Sequence, residues 1–161
     1  MIKLFRVDHR LLHGQVAVSW YGALGANCIL IANDQVPKDA IRKASIKMAK
    51  PSGSKLVMQS IERSIESLNS GITDKYNLMI IVESITDAYR LISGMKHKPA
   101  VLNLGGTKET EETRILAPAV NTNDDDEKKL ADLIAQGVKI EVQQVSTSKI
   151  KEIKPNDLHL G

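Results

Sequence analysis

The sequence predicts an α/β protein, a three-layer α/β/α open sandwich with helices on both faces of a mainly parallel central sheet. Three observations carry this. Candidate strands and helices alternate along the chain, the rhythm of strand–helix–strand crossovers. CILIA (28–32) and LMIIV (78–82) are unbroken apolar runs of the kind buried on both sides of a sheet. The apolar set is aliphatic, with aromatics only 3% of the chain, which suits helices on a sheet better than an all-β sandwich. The 161 residues suffice for one domain with a sizeable core, and no repeat, linker or low-complexity segment divides them, so residues 1–161 are read as a single domain.

The elements follow in order. Ile2 to Val7 reads as the first strand and Gln15 to Leu24 as a helix stopped by Gly25. CILIA is the second strand, and a helix is expected from Pro37 to Ala49, with proline in its first turn, where a missing N–H does no harm. KPSG breaks the chain before the strand KLVMQ and the helix Ile61 to Asn69, with Gly71 past its end. NLMIIV is the fourth strand, followed by a helix from Ile85 to Ser93. AVLNL is the fifth, ending in Gly105-Gly106. After the polar loop TKETEETR, ILAPAV reads as a short strand whose Pro118 argues for an edge position. NDDDEKKLADLIAQ is a helix with acids in its first turn, KIEVQQV a final strand, and the tail is expected to add a short helix.

Composition narrows the function. The net charge of +3 is mild and dispersed, and no basic, aromatic-rich stripe supports nucleic-acid binding. Cys28 is the only cysteine, so no internal disulfide is expected and a reducing cytoplasm fits. MIKLFRVDHR is interrupted by charge too early for a signal peptide, and the apolar runs are too short to span a membrane, so any membrane role is expected to come through a partner.

In open parallel sheets ligands sit outside the carboxyl ends of the strands. There the chain places Asp8, Arg10 and His13; Asn33 and Asp34; Glu83 and Ser84; Gly105 and Gly106; Ser146 and Thr147. The first group is densest and combines a nucleophile-capable imidazole with a fixed cation. His13 lies just before a predicted helix N-terminus, where free N–H groups favour an anion. Gly14 lets backbone approach it, and Arg10 can hold phosphate oxygens in a bidentate manner. Together they would stabilise a phosphoryl group on His13. Plainer readings stand beside these. Arg10 can simply pair with Asp8, Gly14 can be a turn glycine, and Gln15 a first-turn residue. Asp34 reads as a cap or turn residue, Ser84 with Asp87 as a capping box, and Asp124 to Glu127 as a solvated helix start. His9 and His13 are four apart, but no Glu follows His9 and the stretch reads as a loop, so no metal is expected. His97 and His159 carry no signal, GALGAN lacks a phosphate-loop pattern, and no Ser-His-Asp set is assignable.

VDHRLLHGQVAVSW (7–20) closely resembles the active-site segment of the IIB components of the bacterial sugar phosphotransferase system, mannose–fructose–sorbose family. CILIANDQV, KMAKPSGSKL, NLGGTKETEET and VQQVSTSK resemble further segments of the same family, so the likeness covers nearly the whole chain. It implies an open α/β/α fold and a cytoplasmic phosphocarrier acting beside a membrane transporter. His13 would take a phosphoryl group, through Nδ1 as in relatives, from a IIA partner. It would pass the group to a sugar, at the 6-hydroxyl, held by membrane IIC and IID components. Arg10 would clamp phosphate. Asp8, Gly14, Gln15 and Ser84 would bind phosphate or support the loop. No cofactor is implied beyond the covalent phosphohistidine. Many relatives carry Asp where this chain has His9, which adds a titratable group beside the site and is expected to alter docking or local pKa. Two other classes are weighed: a histidine phosphatase, whose Arg-His-Gly motif LHGQ superficially resembles, and a non-catalytic α/β binding module.

Overall fold

The computed structural model describes residues 1–159, with the backbone alone at Gln15. The strands are β1 Ile2–Asp8, β2 Cys28–Ala32, β3 Lys55–Gln59, β4 Leu78–Val82, β5 Val101–Gly106, β6 Arg114–Ala117, β7 Val120–Thr122, β8 Lys139–Val142 and β9 Lys151–Ile153. Seven of them form one sheet in the order β3-β2-β4-β1-β5-β8-β9. Every neighbouring pair is parallel except β8 and β9, which run antiparallel.

The first helix is continuous but composite: α1 Gly14–Val16, a π-helical turn Ala17–Tyr21, and α2 Gly22–Leu24. Gly25 ends it in the left-handed conformation (φ +64°), which glycine adopts without steric cost. The others are α3 Ala40–Met48, α4 Ile61–Ser70, α5 Ile85–Gly94 and α6 Asp124–Ala135.

Side chains alternate across each strand, so the central strands feed two cores. Phe5, Val7, Leu30, Ile80 and Val82 pack with Ile61, Leu91, Ile92, Leu130 and Leu133 beneath α4, α5 and α6. Leu4, Ile29, Ile31, Met79 and Ile81 pack with Val16, Ala17, Trp20 and Ile46 beneath the first helix and α3. These are the three layers expected. The second core takes no residue from β5, β8 or β9. On that half of the sheet a groove of about 300 Å³ runs past Trp20, Asn103, Glu141 and Gln143. The polar residues of β5 and β8 face it, so helices cover both faces over only part of the sheet.

Four expectations are corrected. ILAPAV is not an edge strand of the main sheet: β6 and β7 pair only with each other, as a hairpin. Its turn places Pro118 second and Ala119 third with φ +65°, the pattern of a type II turn. The expected strand KIEVQQV stops at Val142, because the Gln143 and Gln144 carbonyls accept hydrogen bonds from Arg6 instead of a ladder partner. KIEVQQV is not the final strand either: the tail adds β9 before the short helix expected there, a 3-10 turn at Pro155–Asp157. Pro37 lies in a separate 3-10 turn, Val36–Lys38; α3 starts afresh at Asp39, whose carboxylate accepts from Ile41 N and Arg42 N. Asp34 does cap a helix, but a distant one: its Oδ1 accepts from Ile61 N at the start of α4, and its Oδ2 pairs with Arg90.

Candidate functional site

The alternation of β1 sends Leu4, Arg6 and Asp8 to the same face of the sheet. After Asp8 the chain turns sharply, with Leu11 N donating to Asp8 O at 2.9 Å and Leu11 at φ +57°. A left-handed leucine costs about 1–2 kcal/mol. Leu11 and Leu12 are both buried in the second core, and burying one leucine side chain contributes about 1.5–3 kcal/mol. Anchorage therefore outweighs strain, and two adjacent leucines pin the loop that carries Arg10 and His13.

His13 is the N-cap residue of the first helix, with extended backbone (φ −142°, ψ 164°) and its carbonyl accepting from Ala17 N at 2.9 Å. Among the described residues no side chain caps this end. The N–H groups of Gly14, Gln15 and Val16 have no intrahelical partner and carry the positive end of the helix dipole. Apart from its chain neighbours, no described residue lies within 4 Å of where a Cβ on Gly14 would stand. The Gln15 side chain lies outside the described residues.

Asp8 is fully buried and organises the group. Its Oδ1 accepts from Arg10 N at 3.0 Å and Arg10 Nε at 3.3 Å; its Oδ2 accepts from Arg6 Nη2 at 3.2 Å. Burial works against its charge, yet the Arg10 amide and the Arg6 and Arg10 guanidiniums prevail and hold its carboxyl below the usual range. Arg10 therefore does pair with Asp8, but through Nε. Its side chain is 55% exposed, and among the described residues no carboxylate engages its terminal nitrogens.

His13 Nε2 lies 3.5 Å from Asp8 Oδ2, the far limit of a hydrogen bond. Among the described residues Nε2 is buried and has no other partner, although 24% of the side chain is exposed. The accessible edge of the ring is thus the one away from Nε2, and Nδ1 is the nitrogen left for chemistry. Burial, followed by the positive charge of Arg10, lowers the imidazole's pKa below its ordinary 6.5; Asp8 opposes this and Arg6 adds to it weakly. The lowered pKa favours the neutral ring at pH 7, the form that can act as a nucleophile. A proton-NMR titration of His13 is expected to show a midpoint below 6.5. A midpoint above 7 would mean that Asp8 dominates and that the ring is largely protonated when it should attack.

One expected site member, Ser84, stands apart, as does the neighbouring His9. Ser84 Oγ accepts from Asp87 N at 3.1 Å and caps α5; among the described residues no bond joins it to Asp8, Arg10 or His13. It lines a separate polar crevice of about 500 Å³ with His9, Arg42, Glu83, Thr107 and Asn121. His9 donates its N–H to Gly106 O at 3.0 Å and sets its ring against Gly106. The charges that act most on His13 are those of Arg10, Asp8 and Arg6. Among the described residues no group of three His, Cys, Asp or Glu side chains could hold a metal ion, and no helix is long and apolar enough to cross a membrane.

One member escaped the sequence reading. Arg6 is fully buried in the middle of β1. Its Nη1 donates to Asn103 Oδ1 (2.7 Å) and Gln143 O (2.8 Å), its Nη2 to Gln144 O (2.8 Å) and Asp8, and its Cζ lies 5.4 Å from the Trp20 ring centroid. Gly105 belongs to the same arrangement: a Cβ there would fall 2.0 Å from Arg6 Cζ. Glycine is needed at 105 to admit a guanidinium, not to turn the chain. The available signal was an arginine and an aspartate two apart in a strand that is otherwise apolar at its carboxyl end.

Comparison with known proteins gives a consistent set of matches. Residues 2–158 match the family described as the PTS system sorbose subfamily IIB component. The sorbose-specific EIIB component of Lacticaseibacillus casei is 29% identical over 153 residues, 95% of this chain and 93% of that protein. The N-acetylgalactosamine-specific phosphotransferase enzyme IIB component 2 of Escherichia coli K12 is 29% identical over 146 residues, 91% and 92% of the two chains. A probable phosphotransferase enzyme IIB component of Streptococcus pyogenes is 43% identical over 88 residues, so the chain spans about half the length of that relative. Among solved structures, the IIBSor domain of the sorbose permease from Klebsiella pneumoniae matches with a TM-score of 0.89 at 26% identity, covering 98% of this chain and 95% of that one.

Proposed function

The chain belongs to the sorbose subfamily of IIB components of the sugar phosphotransferase system, and on that premise we propose that it carries a phosphoryl group on His13 Nδ1 between a IIA protein and a sugar. The observation that supports this most is the orientation of the ring: Nε2 is buried against Asp8 while the opposite edge opens beside Arg10 and an uncapped helix end.

Two in-line displacements follow. In the first, the Nδ1 lone pair of neutral His13 forms an N–P bond as the bond from phosphorus to the donor's histidine breaks, its electron pair returning to the donor imidazole. The proton on His13 Nε2 stays in place, held towards Asp8. The terminal nitrogens of Arg10 and the backbone N–H groups of Gly14, Gln15 and Val16 balance the charge on the three equatorial oxygens. In the second, a sugar hydroxyl, read as the 6-hydroxyl, attacks phosphorus. The N–P bond breaks with its pair returning to Nδ1, and the hydroxyl proton leaves to solvent or a nearby base. The sugar is held by membrane IIC and IID components, and the carrier works at the cytoplasmic side without entering the bilayer itself. These parts call on no cofactor other than the phosphohistidine. A histidine phosphatase would need a second catalytic histidine, whereas His9 turns towards Gly106.

The test is incubation of the purified chain with phospho-IIA. One phosphate per chain, lost in acid, stable in base and mapped to the peptide containing His13, is the expected result, with discharge to sugar only when IIC and IID are supplied. Steady release of inorganic phosphate from a small phosphate ester, or no labelling, overturns the reading.

A further inference from the structure

Arg6 touches neither solvent nor the space above Gly14, so it is not a phosphate ligand. It is nevertheless the most heavily tied cation in the molecule. Asn103 holds it from β5, the carbonyls of Gln143 and Gln144 from the segment after β8, and Trp20 from the first helix; Gly105 leaves the room it occupies. Its charged partner is Asp8, and the contact is specific: Nη2 reaches Oδ2, the same oxygen that faces His13 Nε2. Arg10 grips only the other oxygen, Oδ1, partly through an exposed side chain free to leave for phosphate. Fixing Oδ2 thus falls to Arg6.

We infer that Arg6 is a positioning residue for phosphoryl transfer: clamped by three elements, it fixes Asp8 Oδ2 against His13 Nε2 and so makes Nδ1 the reacting nitrogen. The inference rests on the phosphocarrier reading above and adds to it the reason one tautomer prevails. A neutral imidazole holds one proton. With an ionised carboxylate on the Nε2 side, that proton sits on Nε2 and the lone pair on Nδ1. With Asp8 free to swing or to take a proton, both tautomers populate and attack through Nδ1 slows.

The tautomer of neutral His13 is read from its ¹⁵N shifts, and phosphorylation from phosphoramidate, a small donor that needs no docking, is followed by ³¹P NMR. Wild type is expected to hold its proton on Nε2 and to label at Nδ1. Arg6→Gln is expected to show mixed tautomers and labelling slower by roughly ten- to a hundredfold while still melting cooperatively, and Arg6→Lys to fall between the two. Asn103→Ala, which removes one anchor and keeps the guanidinium, shifts both readouts the same way by less, and stands in if Arg6→Gln does not fold. A wild-type proton on Nδ1 overturns the inference without any variant. So does a folded Arg6→Gln protein, or in its place Asn103→Ala, with wild-type tautomer and rate. Wild type that accepts no phosphate from any donor overturns the carrier reading instead, and the tautomers then decide the role of Arg6 by themselves.

Discussion

His13→Ala will accept no phosphate from a phosphohistidine donor, yet will melt within a few degrees of wild type. The first half follows from the site's contents. His13 is the only nucleophile among the groups gathered at the mouth, since Asp8 is buried and tied to two arginines. The second half follows from what the imidazole does for the fold, which is little. Its Nε2 makes no well-formed hydrogen bond. Removing the ring leaves Asp8 with Arg6 and Arg10, so no buried charge is orphaned. Substitutions that leave such networks satisfied change stability by about 0.5 kcal/mol, or about 1–2 °C in a chain of this size. Calorimetry with phosphate labelling checks both. Labelling of the variant at the wild-type level would remove His13 from the mechanism.

Arg10→Ala is expected to slow phosphoryl acceptance by about 10²–10³-fold, the usual cost of one preorganised donor to transition-state charge. Its Nε is engaged by Asp8, so the side chain is oriented beforehand, and its terminal nitrogens are available for phosphate. Arg10→Lys keeps the charge but loses the fork, and should recover only part of the rate. The fold should hold, because the Arg10 backbone amide still donates to Asp8 Oδ1 in either variant. A second readout separates electrostatics from shape. The Arg10 charge lowers the His13 pKa, so its removal should raise the His13 titration midpoint in Arg10→Ala and leave it nearly unchanged in Arg10→Lys. Stopped-flow transfer from phospho-IIA, run beside the NMR titration, measures both. A rate within threefold of wild type in Arg10→Ala would leave the helix N-terminus as the sole phosphate site.

These sites differ in how far they could be read before the fold was seen. His13, Arg10, Asp8 and Gly14 fall within one seven-residue stretch, so chain connectivity alone brings them together, and a strand-to-helix junction was enough to place them at the sheet's mouth. Ser84 lay on the right edge of the sheet too, but its hydroxyl caps α5 and its loop faces the crevice beside His9. A list of strand ends carries no information on which face each end serves. The doublet Gly105-Gly106 stands among the strand ends where ligands sit; Gly105 in fact makes room for a guanidinium from β1.

The alternation of strands and helices through β5, the double burial of β2 and the loop that carries His13 were determined by the sequence alone. Hydrophobic periodicity and helix-end chemistry act over a few residues, and those residues are neighbours in the chain. The pairing order β3-β2-β4-β1-β5-β8-β9, the hairpin β6–β7 and the clamp on Arg6 were decided by tertiary structure. Arg6 meets Asn103 at a separation of 97 residues and Gln143 at 137. Contacts across such spans exist only once strand pairing is chosen, and pairing is settled by the burial of whole faces rather than by any local signal. The proposed nucleophile is therefore legible in the chain, while the surroundings of each of its nitrogens are set by the fold.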